Sequence, residues 1–115
     1  MKYTHIYTGS DGISHFEDLD FPLTDTSATS QTSDVIKTTG VFVRTTLEAA
    51  YGPSLHNAPR RQYIAILEGR AEIISSDGTK RTFKASDIFL AEDLTGKGHQ
   101  LHIFGSWRVL VIPVG

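Results

Sequence analysis

The sequence predicts an all-β domain, a sandwich or barrel of short strands, and three observations carry that reading. Segments rich in β-branched and aromatic residues recur along the chain, and no stretch keeps a helical period beyond about "TLEAAYG". Glycines at 40, 52, 69, 96, 98 and 105 punctuate the strands at short intervals. With 115 residues, 39% of them apolar and 21% charged, one domain around one core is expected over residues 1–115.

Taken in order, the first strand is expected at "KYTHIYT", Lys2 to Thr8. "LTDTSATSQTSD", Leu23 to Asp34, has almost no apolar residue and reads as a surface loop, or as an arm that orders on a partner subunit. Residues 1–40 therefore hold the N-terminal strand or strands and this loop, and residues 41–115 hold the core. Strands follow at "VFVRTTL" (Val41 to Leu47), "QYIAILEGRAEII" (Gln62 to Ile74) and "RTFKASDIFLAED" (Arg81 to Asp93). The last two are "QLHIFG" (Gln100 to Gly105) and "WRVLVIPV" (Trp107 to Val114). Between Ile74 and Arg81, Asp77-Gly78 supplies the positive backbone angles of a tight hairpin, so the strands on either side are antiparallel neighbours.

A net charge of −2, from 11 basic and 13 acidic residues, creates no overall field to recruit nucleic acid or an anionic membrane, and neither partner is expected. The absence of cysteine excludes disulfides, thiolate zinc sites and a cysteine nucleophile, leaving His, carboxylate and amide side chains as metal ligands. "MKYTHIYTGSDG" lacks the apolar core of a signal peptide and "VLVIPV" is too short to span a bilayer, so a cytoplasmic location is expected. No phosphate loop, zinc-protease helix or serine-hydrolase elbow is present, and "TGKG" lacks the rest of the Walker spacing.

Two clusters carry the candidate chemistry. "HNAPRRQ", His56 to Gln62, places an imidazole, two guanidiniums and an amide at the mouth of the apolar run "YIAILEG". It could be a metal site, a cationic pocket for an acidic ligand, or a charged turn. In extended backbone His56, Ala58, Arg60, Gln62, Ile64 and Ile66 share a face, a polar mouth over an apolar floor of the kind small-molecule sites use. Pro59 cannot sit within a central strand, which puts the strand start at about Arg60. Arg60 and Arg61 face opposite ways, so at most one can grip a substrate carboxylate or phosphate; the alternative is an ion pair with Glu68, Glu72 or Asp93. The second cluster, "AEDLTGKGHQLH", contributes His99, with Leu101 and Ile103 on its face, while His102 lies on the opposite face. Glu92 and Asp93 could serve as general acid or base, orient an imidazole, or pair with Lys97.

The order of these motifs resembles the cupin superfamily, specifically its small single-domain members. In "HNAPRRQYIAILEG", His56 stands at the first motif histidine, Ala58 at the second, Gln62 at the glutamate and Gly69 at the closing glycine. In "KASDIFLAEDLTGKGH", Ala85-Ser86-Asp87 stands at the Pro-Gly-Asp turn and His99 at the later histidine. The resemblance spans roughly Val41 to Val114. It implies a conical double-stranded jelly-roll barrel, often dimeric, with the motif histidines facing inward. The surviving ligand set would be His56, Gln62 and His99, for a divalent metal such as zinc, nickel, iron or manganese. Ala58 and Gln62 depart from the family pattern and weaken that set, since an amide binds a divalent ion less strongly than a carboxylate. Iron-dependent dioxygen chemistry is accordingly disfavoured unless Glu68, Glu72 or Glu92 substitutes.

The expected function is therefore a cupin-type enzyme on a small polar or acidic organic substrate, of isomerase, lyase or cyclase type, with or without a metal. His56 and His99 would polarise an oxygen or shuttle a proton, Arg60 would hold an acidic group, and Gln62, Ile64 and Ile66 would contact the ligand. The alternative is a non-catalytic small-ligand barrel, and the expected partner in either case is a second copy of the chain.

Overall fold

The structure is a computed structural model describing residues 1–115, and it contains twelve strands and no helix. They are β1 (Lys2–Thr8), β2 (Ser14–Asp20), β3 (Leu23–Asp25), β4 (Gln31–Ser33), β5 (Phe42–Thr46) and β6 (Ala50–Tyr51). The second half holds β7 (Gln62–Glu68), β8 (Arg70–Ser75), β9 (Lys80–Lys84), β10 (Ile88–Glu92), β11 (His99–Ile103) and β12 (Trp107–Pro113). A six-stranded sheet runs β2-β1-β10-β7-β12-β5 and a four-stranded sheet runs β6-β11-β8-β9. From β7 onward the chain passes between the two sheets repeatedly, which is the wrapping of a jelly roll. The all-β jelly-roll class expected from the sequence is what forms, as two facing sheets rather than one closed barrel.

The core lies between the sheets, where Ile6, Ile66 and Val111 of the larger sheet meet Ile73 and Phe83 of the smaller. Alternation along the strands produces it: in β12, Trp107, Val109 and Val111 point inward and are buried, while Arg108 between them is exposed. The sheet is antiparallel except where β1 lies parallel to β10, with Ile6 opposite Ala91.

Three local features differ from the sequence expectation or refine it. The stretch Gln62 to Ile74 is two strands, because Gly69 takes φ +93 and carries the chain from one sheet to the other. A Cβ there would stand 2.0 Å from the Ser106 carbonyl oxygen, so only glycine fits. Glu68 accordingly pairs with Arg108 at 3.1 Å, and Glu72 lies beside His102, neither of them in the cavity. The segment Leu23 to Asp34 is not an irregular loop: β3 and β4 pair as their own exposed two-stranded sheet, with Leu23 opposite Ser33. The turn at Ala85-Ser86-Asp87 forms with Ser86 at φ 81, the conformation a glycine would take without strain. Asp87 N–H donates to Lys84 O at 3.0 Å and its carboxylate accepts from Lys84 N–H at 2.9 Å, which holds the turn closed.

Candidate functional site

At one end of the sandwich the two sheets part around a cavity of about 90 Å³. Its floor is apolar, formed by Ile64, Ile73, Phe89, Leu101 and Val109, and its polar side chains are Arg44, His56, Asn57, Gln62 and His99. No aspartate or glutamate lines it. Typical ligand pockets start at roughly 300 Å³, so whatever enters is small.

His56 and His99 are brought together by the backbone. Each donates its N–H to the other's carbonyl oxygen at 2.9 Å, an isolated antiparallel bridge that sets the imidazole centroids 4.6 Å apart. Gly98 makes the approach possible: its φ is +79, and a Cβ would stand 2.1 Å from the His56 carbonyl oxygen. Asn57 anchors the same segment by donating to the carbonyl oxygens of Thr95 at 2.9 Å and Gly96 at 3.2 Å.

Behind His99 lies Asp93, fully buried at 0% exposure. Asp93 Oδ2 accepts from His99 Nδ1 at 2.5 Å and from the Ser14 hydroxyl at 2.8 Å, while Oδ1 is buried without a hydrogen-bond partner. A carboxylate can only accept, so Nδ1 carries the proton and the other ring nitrogen, Nε2, is left for the cavity. The three residues come from β2, the β10–β11 connection and β11, far apart in sequence. Of the roles the sequence left open for Asp93, orienting an imidazole is the one its contacts match. Glu92 instead bridges His5, at 2.7 Å from Nε2, and Arg61, on the outer face of the larger sheet.

The predicted site residues separate into three groups. His56, Gln62, Ile64 and His99 all line the cavity. Arg60 stands at the rim, exposed, with its Nη1 donating to Gln62 Oε1 at 2.9 Å and its guanidinium 5.6 Å from the Phe42 ring centre. Ile66 does not reach the ligand space: one residue pair further along β7 than Ile64, it is 3% exposed and packed in the core. His102 lies on the outer face of the smaller sheet as parity requires, stacked 3.7 Å from Tyr51. Sequence reasoning missed Arg44, whose inward direction follows from the pairing of β5 with β12, where Arg44 faces Val109. It missed Ser14 as well, because nothing in "GISHFED" advertises a buried hydroxyl.

The donor set does not suit a divalent metal. The oxygen of Gln62, the atom that would meet the cation, already accepts from the Arg60 guanidinium, so a positive charge stands where a metal would have to come. No three His, Cys, Asp or Glu side chains are grouped to hold an ion, and the cavity lining carries no carboxylate.

A second titrating cluster lies beside Ser14. His15 is held between Asp11, at 3.0 Å, and Asp77, at 3.2 Å, and so ties the β1–β2 hairpin to the β8–β9 turn. The hydrogen bond with Asp11 holds the His15 imidazole above its ordinary value. The Ile13 N–H, followed by His15, holds the Asp11 carboxyl below its own. Burial pushes Asp77 up, but hydrogen bonds from the Ser75 hydroxyl and the Thr79 N–H outweigh it and keep the carboxyl low.

No known protein family matches the chain, and neither does any curated protein sequence. Among solved structures, the chain is similar to one assigned as ethanolamine utilization protein Q from Salmonella typhimurium LT2. The two share 15% identity with a TM-score of 0.39, over 99% of this chain and 95% of that one. At that distance the similarity bears on neither ligand nor reaction, and the chemistry rests on the cavity itself.

Proposed function

We propose that the cavity is an acid–base site acting on a small polar or acidic organic molecule, in the manner of an isomerase, lyase or cyclase. His99 Nε2 is the proton acceptor, Asp93 and Ser14 hold its ring and tautomer, and His56 at 4.6 Å is the second proton-carrying group. Arg60 at the rim holds the substrate's polar end, and Ile64 contacts its hydrocarbon.

The observation that carries this reading is the buried Asp93 carboxylate on the far side of His99. Taking a carboxylate fully out of water costs several kcal/mol, a cost that simple recognition by an imidazole does not require. A carboxylate there fixes the tautomer and stabilises the imidazolium that forms when Nε2 takes a proton, as a general base uses it. The competing reading, a non-catalytic barrel, uses the same cavity and predicts binding without proton transfer. Exchange of substrate C–H protons for deuterium, followed by NMR over a panel of small carboxylic and hydroxy acids, separates the two. The wild-type chain is expected to exchange one of them, and Asp93→Asn to slow that exchange by about 10² to 10⁴ while ligand still binds. Binding with no exchange by the wild type would leave the non-catalytic barrel.

A further inference from the structure

We infer that the cavity selects a small organic carboxylate and holds it through N–H donors alone, with Arg44, Arg60 and the amide of Gln62 as the binding set and no metal ion. This rests on the cavity being the ligand site, as proposed above, and adds the class of ligand it takes.

The distribution of arginines is the first argument. Arg61, Arg81 and Arg108 pair with Glu92, Asp18 and Glu68. Arg70 lies 4.8 Å from the Phe104 ring centre on the outside of the molecule. The remaining two, Arg44 and Arg60, come from different segments and lie against the same ring, Phe42, at 5.9 and 5.6 Å, and neither has a carboxylate partner. Each is a guanidinium at the cavity or its rim with no carboxylate to neutralise it, and an oxyanion matches the planar fork of each.

Gln62 supplies the second argument. It is 3% exposed and lines the cavity, and its oxygen is fixed by the bond from Arg60. Reversing the amide would set an NH₂ against a guanidinium, donor against donor, so the orientation is determined. Nε2 then makes no bond to protein and is the group Gln62 offers to a ligand. Gln62 thereby faces the cavity as a donor for anions rather than as an acceptor for cations. The third argument is the floor: Ile64, Phe89 and Leu101 have nothing to offer an inorganic ion but fit a short hydrocarbon. With about 90 Å³ to fill, an acid of two to four carbons is the matching class.

Calorimetric titration of the full chain in EDTA tests this, with malonate, its uncharged counterpart malonamide, and inorganic phosphate as probes. Malonate is expected to bind, with malonamide and phosphate weaker by about tenfold or more, since a hydrogen bond to a charged group is worth about that much. Arg44→Gln and Arg60→Gln should each weaken malonate by about ten- to a hundredfold. Arg70→Gln, on its distant ring, should leave binding unchanged. The four proteins should share one thermal midpoint, the three arginines being exposed. Equal binding of malonamide, equal binding of phosphate, binding of malonate only after zinc or manganese is restored, or no binding by any probe would each overturn the inference. Malonate binding that persists while the wild type exchanges no substrate proton would sink only the acid–base reading. Proton exchange on an uncharged substrate, with no affinity for malonate, would sink only this one.

Discussion

Replacing Gly98 by alanine tests whether the two imidazoles are held together by backbone contact. At φ +79 an L-residue costs about 1 to 2 kcal/mol wherever it stands. Here the new Cβ also meets His56 C at 2.5 Å and Asn57 N at 3.0 Å, besides the carbonyl oxygen at 2.1 Å, and all three are backbone atoms that cannot rotate away. Relief requires opening the bridge, which forfeits two hydrogen bonds of 2.9 Å worth about 0.5 to 1.5 kcal/mol each. The total is about 2 to 5 kcal/mol. Gly78→Ala is the internal control, because Gly78 has φ +90 with nothing within 4 Å of the added methyl, and so incurs only the conformational cost. Urea denaturation midpoints of both variants measure the difference, and ligand titration should show Gly98→Ala losing binding that Gly78→Ala keeps. Equal destabilisation of the two would refute the claim that this approach holds His56 against His99.

Other substitutions probe the turn, the core and the surface. Ser86→Gly should stabilise the fold by about 0.5 to 1 kcal/mol, because Ser86 occupies φ 81; a lowered denaturation midpoint would show that its hydroxyl or Cβ is needed. Ile66→Ala should cost about 2 to 5 kcal/mol, and Ile64→Ala less, since the latter wall already faces open space; a reversed order would put Ile66 at the cavity. The raised His15 contributes stability that is complete below its ordinary 6.5 and is lost as pH climbs through the raised value. The lowered Asp11 and Asp77 contribute stability that is complete above 3.8 and is lost as pH falls through their lowered values. The midpoint difference between wild type and His15→Gln should therefore be largest between pH 3.8 and 6.5, and a flat difference from pH 3 to 9 would contradict the clamp. Finally, β5 ends its sheet with Val43 exposed and Val41 exposed just before it, an unpaired edge suited to a second copy; sedimentation showing only monomer at high concentration would count against that pairing.

Much of the fold was legible because core strands announce themselves. β1 matches its apolar and aromatic run residue for residue, and β12 follows the alternation of "WRVLVIPV". The strands that escaped notice carry no hydrophobic period: β2 has acidic residues on both faces, with Glu17 on one and Asp18 and Asp20 on the other, and β3, β4 and β6 are nearly all exposed. The site divides along the same line. His56, Gln62 and His99 could be placed by parity and motif, since each sits on or beside a strand whose inward face the sequence shows. Arg44 could not, because its direction depends on which residue of β12 it faces, and register between strands 65 residues apart leaves no trace in either one alone. Gln62 was visible as a residue but not as a donor, because its oxygen is claimed by Arg60, two positions away in a segment that had to bend first.

The parallel pairing of β1 with β10 has a consequence for the order in which the molecule can be assembled. Residues 2–8 sit one strand in from the edge of the larger sheet, between β2 and a partner that begins at Ile88. On a ribosome working at about 5 to 20 residues per second, the first strand waits roughly 4 to 17 s for that partner to be made. During that interval β1 and β2 exist only as a hairpin whose inner face, with Ile6 and Phe16, has nothing to cover it. Closure of this part of the larger sheet is thus a long-range event that cannot begin until about 80 residues after β1 have been made.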